Sequence, residues 1–296
     1  NSTTNNNGNI NVNQNVYVGT TTVTTTTTTT TPVTTTTYSD GSTSTSNGTS
    51  STSTSVSTTY AITPTLGVAP VYSATSPNIN GNSVYIKQAS AWADTEVNVT
   101  QDGNNNAVTG VNNGWAYVDG NGSSINVKQY GQGNIAGIKM NAWGNYVDIN
   151  QGTSNASVNN NILMFNSLGN GNATTVNQLS NSNSADIRVI SDINTINLTQ
   201  QTGTLNKSFI SVNGYWNTVN NTQTGSGNLS IINVTGDNNT ATLNQIGSNH
   251  SALLNLINAG GANNVSVTQT GTGDAYSLQQ TCTNPAGCSV SVTRTR

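Results

Sequence analysis

The stretch SSINVKQYGQGNIAGIKMNAWGNYVDINQ, residues 123–151, decides the fold. Two alternating segments, one ending Ile125, Val127, Gln129 and the other running Asn134, Ala136, Ile138, Met140, are separated by Tyr130-Gly131-Gln132-Gly133. Ala142-Trp143-Gly144-Asn145 follows, and then the first segment returns as Val147, Ile149, Gln151. Period-two alternation places every second side chain on one face of a β-strand. Glycine-rich tetrapeptides accept positive φ and make turns. The stretch therefore reads strand, turn, strand, turn, strand: one rung of a coil and the start of the next.

The same unit extends in both directions. Glutamines closing a short alternating strand recur at Gln88, Gln101, Gln129, Gln151, Gln178, Gln200, Gln223, Gln245 and Gln269. From Gln129 the steps are 22, 27, 22, 23, 22 and 24 residues, the length of two strands and two turns. Residues four and two before the glutamine are mostly aliphatic, as in Val97 and Val99, Ile196 and Leu198, or Val265 and Val267. Six before it stands an asparagine at Asn82, Asn145, Asn172, Asn194, Asn217, Asn239 and Asn263. The expected inward face thus mixes aliphatics with amides. A buried amide without a partner costs several kcal/mol, but an identical amide one rung away, about 4.8 Å along the stack, satisfies it. Ladders of that kind need a two-sheet solenoid, and open solenoid ends favour addition of further subunits.

Composition agrees. Only 6% of residues are charged and 5% aromatic, too polar for an ordinary globular core, while a formal net charge of −3 lacks the self-repulsion typical of disordered chains. Seven Lys and Arg, scattered singly, form no basic patch for phosphates or anionic lipid, so no nucleic-acid partner is expected. No apolar run approaches the roughly 18 residues of a membrane span, so no membrane insertion is expected either. The polar start at Asn1 reads as a processed, secreted form. Cys282 and Cys288 enclose Thr-Asn-Pro-Ala-Gly and are either a disulfide staple or two unrelated thiols; the rarity of other cysteines favours the staple.

This pattern resembles the curlin repeat, Ser-x5-Gln-x-Gly-x2-Asn-x-Ala-x3-Gln, over roughly two-thirds of the chain. Ser123, Gln129, Gly131, Asn134 and Ala136 fall at the motif spacing; Gln223, Gly225 and Asn228, or Gln269, Gly271 and Gln280, repeat parts of it. The first Ser is here usually Asn, the last Gln is usually aliphatic, as at Met140, Val189, Val234 and Leu256, and His250 and Asp274 replace the turn-exit Asn in two rungs. The resemblance implies a functional amyloid of the curli major-subunit kind, exported to the cell surface as biofilm matrix. The expected architecture is all-β: an arm over 1–82, a curlin-like solenoid of about eight to nine rungs over 83–281, and a hairpin or tail over 282–296.

The arm carries Thr24 to Thr31 unbroken, Thr34 to Thr37, and Pro64, Pro70 and Pro77. It reads as a flexible or glycosylated spacer, or as extended Thr strands against a neighbour. Ahead of it, Ile10, Val12 and Gln14 within 9–18 repeat the apolar, apolar, glutamine spacing; pairing with the open edge of the next subunit is the favoured reading, with folding back onto its own solenoid as a cap, or a chance match, as the alternatives.

Catalytic chemistry has little support. His250 is the sole histidine and reads as a polar turn residue, the acidic residues are scattered over turns and outward positions, and Asp102, Asp237 and Asp274 do not make a calcium repeat. No enzyme, metal or cofactor is expected. Trp115, Trp143 and Trp216 fall on second turns and read as surface aromatics. The leading expectation is a self-assembling extracellular matrix filament, with secretion or nucleation proteins and surface glycans as further partner classes. The alternatives are a phage or cell-surface adhesion fibre with the solenoid as rigid stalk, and an ice-binding solenoid, against which stands the lack of outward Thr pairs in every rung.

Overall fold

A computed structural model describes residues 83–88, 96–111, 116–119, 122–258 and 260–296, together with strand backbone at 9–11, 20–30, 33–37, 43–47, 51–61 and 73–75. From residue 83 onward the described chain is a β-solenoid of about eight turns with no helix. Its strands alternate between two parallel sheets. The glutamine sheet contains Glu96–Asn104, Ser124–Gln132, Tyr146–Gln151, Ala173–Gln178, Thr195–Gln201, Thr218–Thr224, Thr240–Ser248, Asn263–Thr272 and Cys288–Thr295, each pairing with the next. The facing sheet begins with Ser83–Val84 and Ile86–Gln88 and ends with Ala275–Cys282.

Register is what turns the sequence repeat into a core. Ile125 pairs with Val147, Val127 with Ile149 and Gln129 with Gln151, so like residues stack in columns. Along most strands burial alternates, and the inward apolar side chains of both sheets merge into one continuous cluster that includes Ile149, Phe165, Ile187, Ile210, Leu243 and Leu254. Each such side chain contributes roughly 1.5–3 kcal/mol of burial, against backbone ordering of similar size.

The turns explain the glycines. Gly225 has a φ of 104°, and a Cβ there would collide with the backbone oxygen of Gly247 one rung on. The 27-residue step is an insertion: Thr153 and Ala156 bridge across a small loop, and Val158–Asn159 then pairs with Gly131 and Gln132 before the coil resumes.

Two expectations need correction. Gln88 does not lie on the glutamine sheet; its strand pairs with Ala116–Asp119, opposite Val118, in the facing sheet. Residues 282–296 form neither a hairpin nor a tail, because Cys288–Thr295 lies parallel to Asn263–Thr272 and adds a further strand to the glutamine sheet. The coil is thus continued past residue 281.

The Thr-rich unit, residues 16–67, is a separate body in which Thr20–Thr30 pairs antiparallel with Ser51–Ala61, and Val33–Thr37 with Thr43–Asn47. Asn9–Asn11, containing Ile10, pairs antiparallel with Ser73–Thr75. Val12, Gln14, Asn82, Trp115, Pro64, Pro70 and Pro77 lie outside the described residues.

Candidate assembly site: the amide ladder and its ends

Parallel register brings Gln101, Gln129, Gln151, Gln178, Gln200, Gln223, Gln245 and Gln269 into one column, half-buried at Gln101 and buried from Gln129 on. Each Nε2 donates to the Oε1 of the following glutamine, at 2.8, 2.7, 2.9, 3.0, 2.8, 3.0 and 3.0 Å in order from Gln101. The second amide hydrogen ties the two sheets together: Gln151 Nε2 donates to Ile135 O, Gln200 to Ser184 O and Gln245 to Leu229 O. The ladder therefore has a direction, with donors pointing toward the C-terminal end.

Two asparagine columns flank it. Before the glutamine strand, the backbone N–H groups of Asn172, Asn194, Asn217, Asn239 and Asn263 donate to the Oδ1 of the preceding asparagine, starting from Asn145, at 2.7–2.9 Å. The column stops at Asn263, whose Oδ1 has no partner, because Cys288 holds the next position. Cys288 is bonded to Cys282, with their Cα atoms 5.6 Å apart. After the glutamine, Asn106, Asn134, Asn161, Asn183, Asn206 and Asn228 stack in the same fashion.

His250 and Asp274 occupy the last two places of that second column in the asparagine's stead, and what differs from the expectation is that both side chains are buried. His250 is buried; its N–H donates to Asn228 Oδ1 and its Nδ1 accepts from the N–H of Asp274 at 3.3 Å. Nε2 faces Ile246 O at 3.1 Å, so the network assigns Nδ1 as acceptor and Nε2 as donor. The imidazole is standing in for an asparagine amide. Asp274 is also buried, not at an outward turn, and its carboxylate accepts from Gln269 Nε2 at 3.2 Å and from Arg294 Nε at 2.8 Å. Burial opposes its ionisation, but the hydrogen bonds from Arg294 and Gln269 and the charge of Arg294 outweigh that and hold the carboxyl below its usual range. Arg294 in turn stands at the glutamine position of the final strand, opposite Gln269.

One polar cluster inside the core was not anticipated. Asn221 replaces the aliphatic found at Leu198 and Leu243, and its Nδ2 reaches across to Ser208 Oγ at 2.9 Å and Ser230 Oγ at 2.6 Å. The signal was available as serines where Ala185 and Ala252 stand in neighbouring rungs. On the surface Trp143, Tyr215 and Trp216 are exposed; the last two have ring centroids 5.9 Å apart within one turn. Among the described residues no group of three or more His, Cys, Asp or Glu is placed to hold a metal, and no helix is long and apolar enough to cross a membrane.

The family model of the curlin associated repeat matches residues 217–247 and 236–271, the rungs closed by Gln223, Gln245 and Gln269. No curated protein and no solved structure matches the chain.

Proposed function

We propose that this chain, whose residues 217–247 and 236–271 match the curlin associated repeat, is the structural subunit of an extracellular, curli-like filament, built by head-to-tail stacking of its solenoids. The observation that carries this reading is the unbroken glutamine ladder from Gln101 to Gln269 inside two sheets whose outer strands, Glu96–Asn104 with Ser83–Gln88 at one end and Ala275–Cys282 with Cys288–Thr295 at the other, have no further strand beside them among the described residues. Sheet edges of this kind are templates for pairing. Secretion is supported by the Cys282–Cys288 bridge, which persists in oxidising compartments. The family is a structural one, which supports a scaffold and not an enzyme.

The arm supplies an auxiliary joint in this proposal: segment 9–18, with Ile10, Val12 and Gln14, contacts a neighbouring subunit without parting the two solenoid ends, Asn9–Asn11 through the edge opposite its in-chain partner Ser73–Thr75. Deleting residues 1–18 then shortens filaments; unchanged filament length and stability would remove the arm from assembly.

Imaging the purified protein tests the main reading. Unlimited unbranched filaments with a meridional spacing near 4.8 Å are expected. A monodisperse monomer or closed trimer refutes it and favours the second reading, an adhesion fibre, which the exposed Trp143, Tyr215 and Trp216 support as a glycan-stacking surface.

A further inference from the structure

The two ends of the solenoid differ from its interior in ways that fit each other. At the C-terminal end Gln280 is the inward residue of the facing sheet where the interior has Val189, Val212, Val234 and Leu256, and its Oε1 is buried with no hydrogen-bond partner. Following the same column to the N-terminal end, through Met140 and Val118, gives Gln88. The aliphatic column thus has an amide at each extremity and none between, apart from the Ser167 hydroxyl. A buried carbonyl oxygen left unpaired is costly, and turning the Gln280 amide toward the open end would offer that oxygen an amide one strand beyond as donor.

The glutamine sheet tells the same story with charge. Its C-terminal strand carries Arg294 and is followed by Arg296, its N-terminal strand carries Glu96 and Asp102. Arg294 commits Nε and Nη2 to Asp274 but is a five-donor group without acceptors, so it continues the donor direction of the ladder toward whatever stacks on it. Apolar side chains at the ends complete the match. Val97 and Val99 at one end, and Tyr276, Leu278 and Val292 at the other, pack against the core but are only partly buried.

We infer that consecutive copies meet directly in a single register, with Gln280 of one copy opposite Gln88 of the next, and Val290, Val292 and Arg294 opposite Val97, Val99 and Gln101. This rests on the head-to-tail reading above and names its joint. Each alignment follows from continuing the observed register by one strand: Gln269 pairs with Arg294 as Gln101 pairs with Gln129, and Val265 with Val290 as Val97 with Ile125. Amide meets amide, valine meets valine, and a donor-only guanidinium meets a glutamine whose oxygen has two lone pairs. The occupant of each end is therefore a second copy of this chain.

Register-specific cross-linking of the full chain tests the joint. In the inferred register the exposed Asn98 and Ser291 face each other across it, one strand spacing apart, within disulfide reach. Filaments of the doubly substituted Asn98→Cys, Ser291→Cys chain should give a covalent ladder of multimers on oxidation, and the shifted pair Asn98→Cys, Thr293→Cys should not. A second variant, Gln280→Leu, separates joint from fold. Because Gln280 Oε1 has no partner within the subunit, its loss should leave the urea midpoint of the unassembled protein unchanged or raised, while the critical concentration for growth rises roughly tenfold.

If the unaltered protein forms no filaments, both the head-to-tail reading and this register fall. Filaments that cross-link in the shifted pair, or in neither, overturn the register alone; an arm strand inserted between copies would give the latter by parting the thiols to about 9.6 Å, two strand spacings. In-register cross-linking with an unchanged critical concentration in Gln280→Leu overturns the part given to Gln280.

Discussion

Replacing Gln223 by alanine measures what one rung of the ladder contributes. Gln223 accepts from Gln200 Nε2 at 2.8 Å and donates to Gln245 Oε1 at 3.0 Å, Lys207 O at 2.9 Å and Asn228 O at 3.1 Å. The two Nε2 hydrogens serve those three acceptors, one of them shared, so with the accepted bond there are three hydrogen bonds, which at a net value of about 1 kcal/mol each give about 3 kcal/mol. Release of the buried side chain returns roughly 1 kcal/mol of rotamer entropy. Gln200 keeps its bond to Ser184 O and Asn228 O keeps the N–H of Lys207, so not every partner is orphaned. The expected loss is therefore about 2 kcal/mol, or a urea midpoint lowered by roughly 0.7–1 M at an m-value near 2–3 kcal/mol/M. The assay is equilibrium urea unfolding below the critical concentration, followed by circular dichroism. Lys139→Ala, on the outward side of the facing sheet, serves as the control and should stay within about 0.5 kcal/mol of the unaltered protein. If the two variants lose the same amount, the glutamine column is not a structural ladder and the account of the inward face is wrong.

Three further outcomes follow from the same geometry. His250→Ala leaves the Asp274 N–H without its Nδ1 acceptor and should cost about 1–3 kcal/mol in urea unfolding, whereas His250→Asn restores the acceptor used in earlier rungs and should lie within about 1 kcal/mol of the unaltered chain; equal losses would refute the amide-substitute role. Gly225→Ala, which drives a Cβ into Gly247 O, should cost about 2 kcal/mol or more, against a smaller loss for Gly144→Ala, where a Cβ meets open space and only the left-handed φ of 64° is strained; the order of the two melting temperatures is the check. Asp274 has its folded-state pKa lowered from the ordinary 3.8, so its contribution is present above that value and is lost as pH falls through the lower folded value. The urea midpoint of the unaltered protein should accordingly fall more steeply below about pH 4 than that of Asp274→Asn, and parallel pH profiles would show that the Arg294 pair contributes nothing.

Much of this architecture was legible because a solenoid writes its geometry into the sequence one rung at a time. The period from Gln129 to Gln269, the aliphatics two and four residues earlier and the asparagine six earlier all reappear as columns in the register. What the pattern hides is which sheet an isolated strand joins. Val84, Ile86 and Gln88 alternate just as Val97, Val99 and Gln101 do, yet only 13 residues separate the two glutamines, half a rung, and that step places Gln88 in the facing sheet. The last strand was missed for the opposite reason. Val290 and Val292 carry the aliphatic pattern, but an arginine replaces the expected glutamine and the disulfide loop before it resembles a hairpin turn. The direction of the ladder and the Asn221, Ser208, Ser230 cluster depend on which amide atom faces which neighbour across 9 to 13 residues of chain, and spacing alone carries no such information.

That direction explains why the unusual residues gather in the final rungs. An amide column repeats without change as long as each Nε2 finds an Oε1, but at Gln269 the supply of glutamines ends. Asp274 offers an acceptor-only carboxylate to that last donor, and Arg294 neutralises it with a donor-only guanidinium, so the pair passes the donor sense of the column one strand further. A glutamine at position 294 would pass it on as well, but without charge. With Arg294 matched by Asp274, the ends differ by Arg296, just past one terminal strand, against Glu96 and Asp102 on the other, so two acidic ends repel and unlike ends attract. Tail-to-tail and head-to-head joints would also set donor against donor or acceptor against acceptor along the ladder and run the meeting strands antiparallel, against the parallel register of every rung in the coil. The same substitutions that terminate the ladder within one subunit thus select the head-to-tail joint between two.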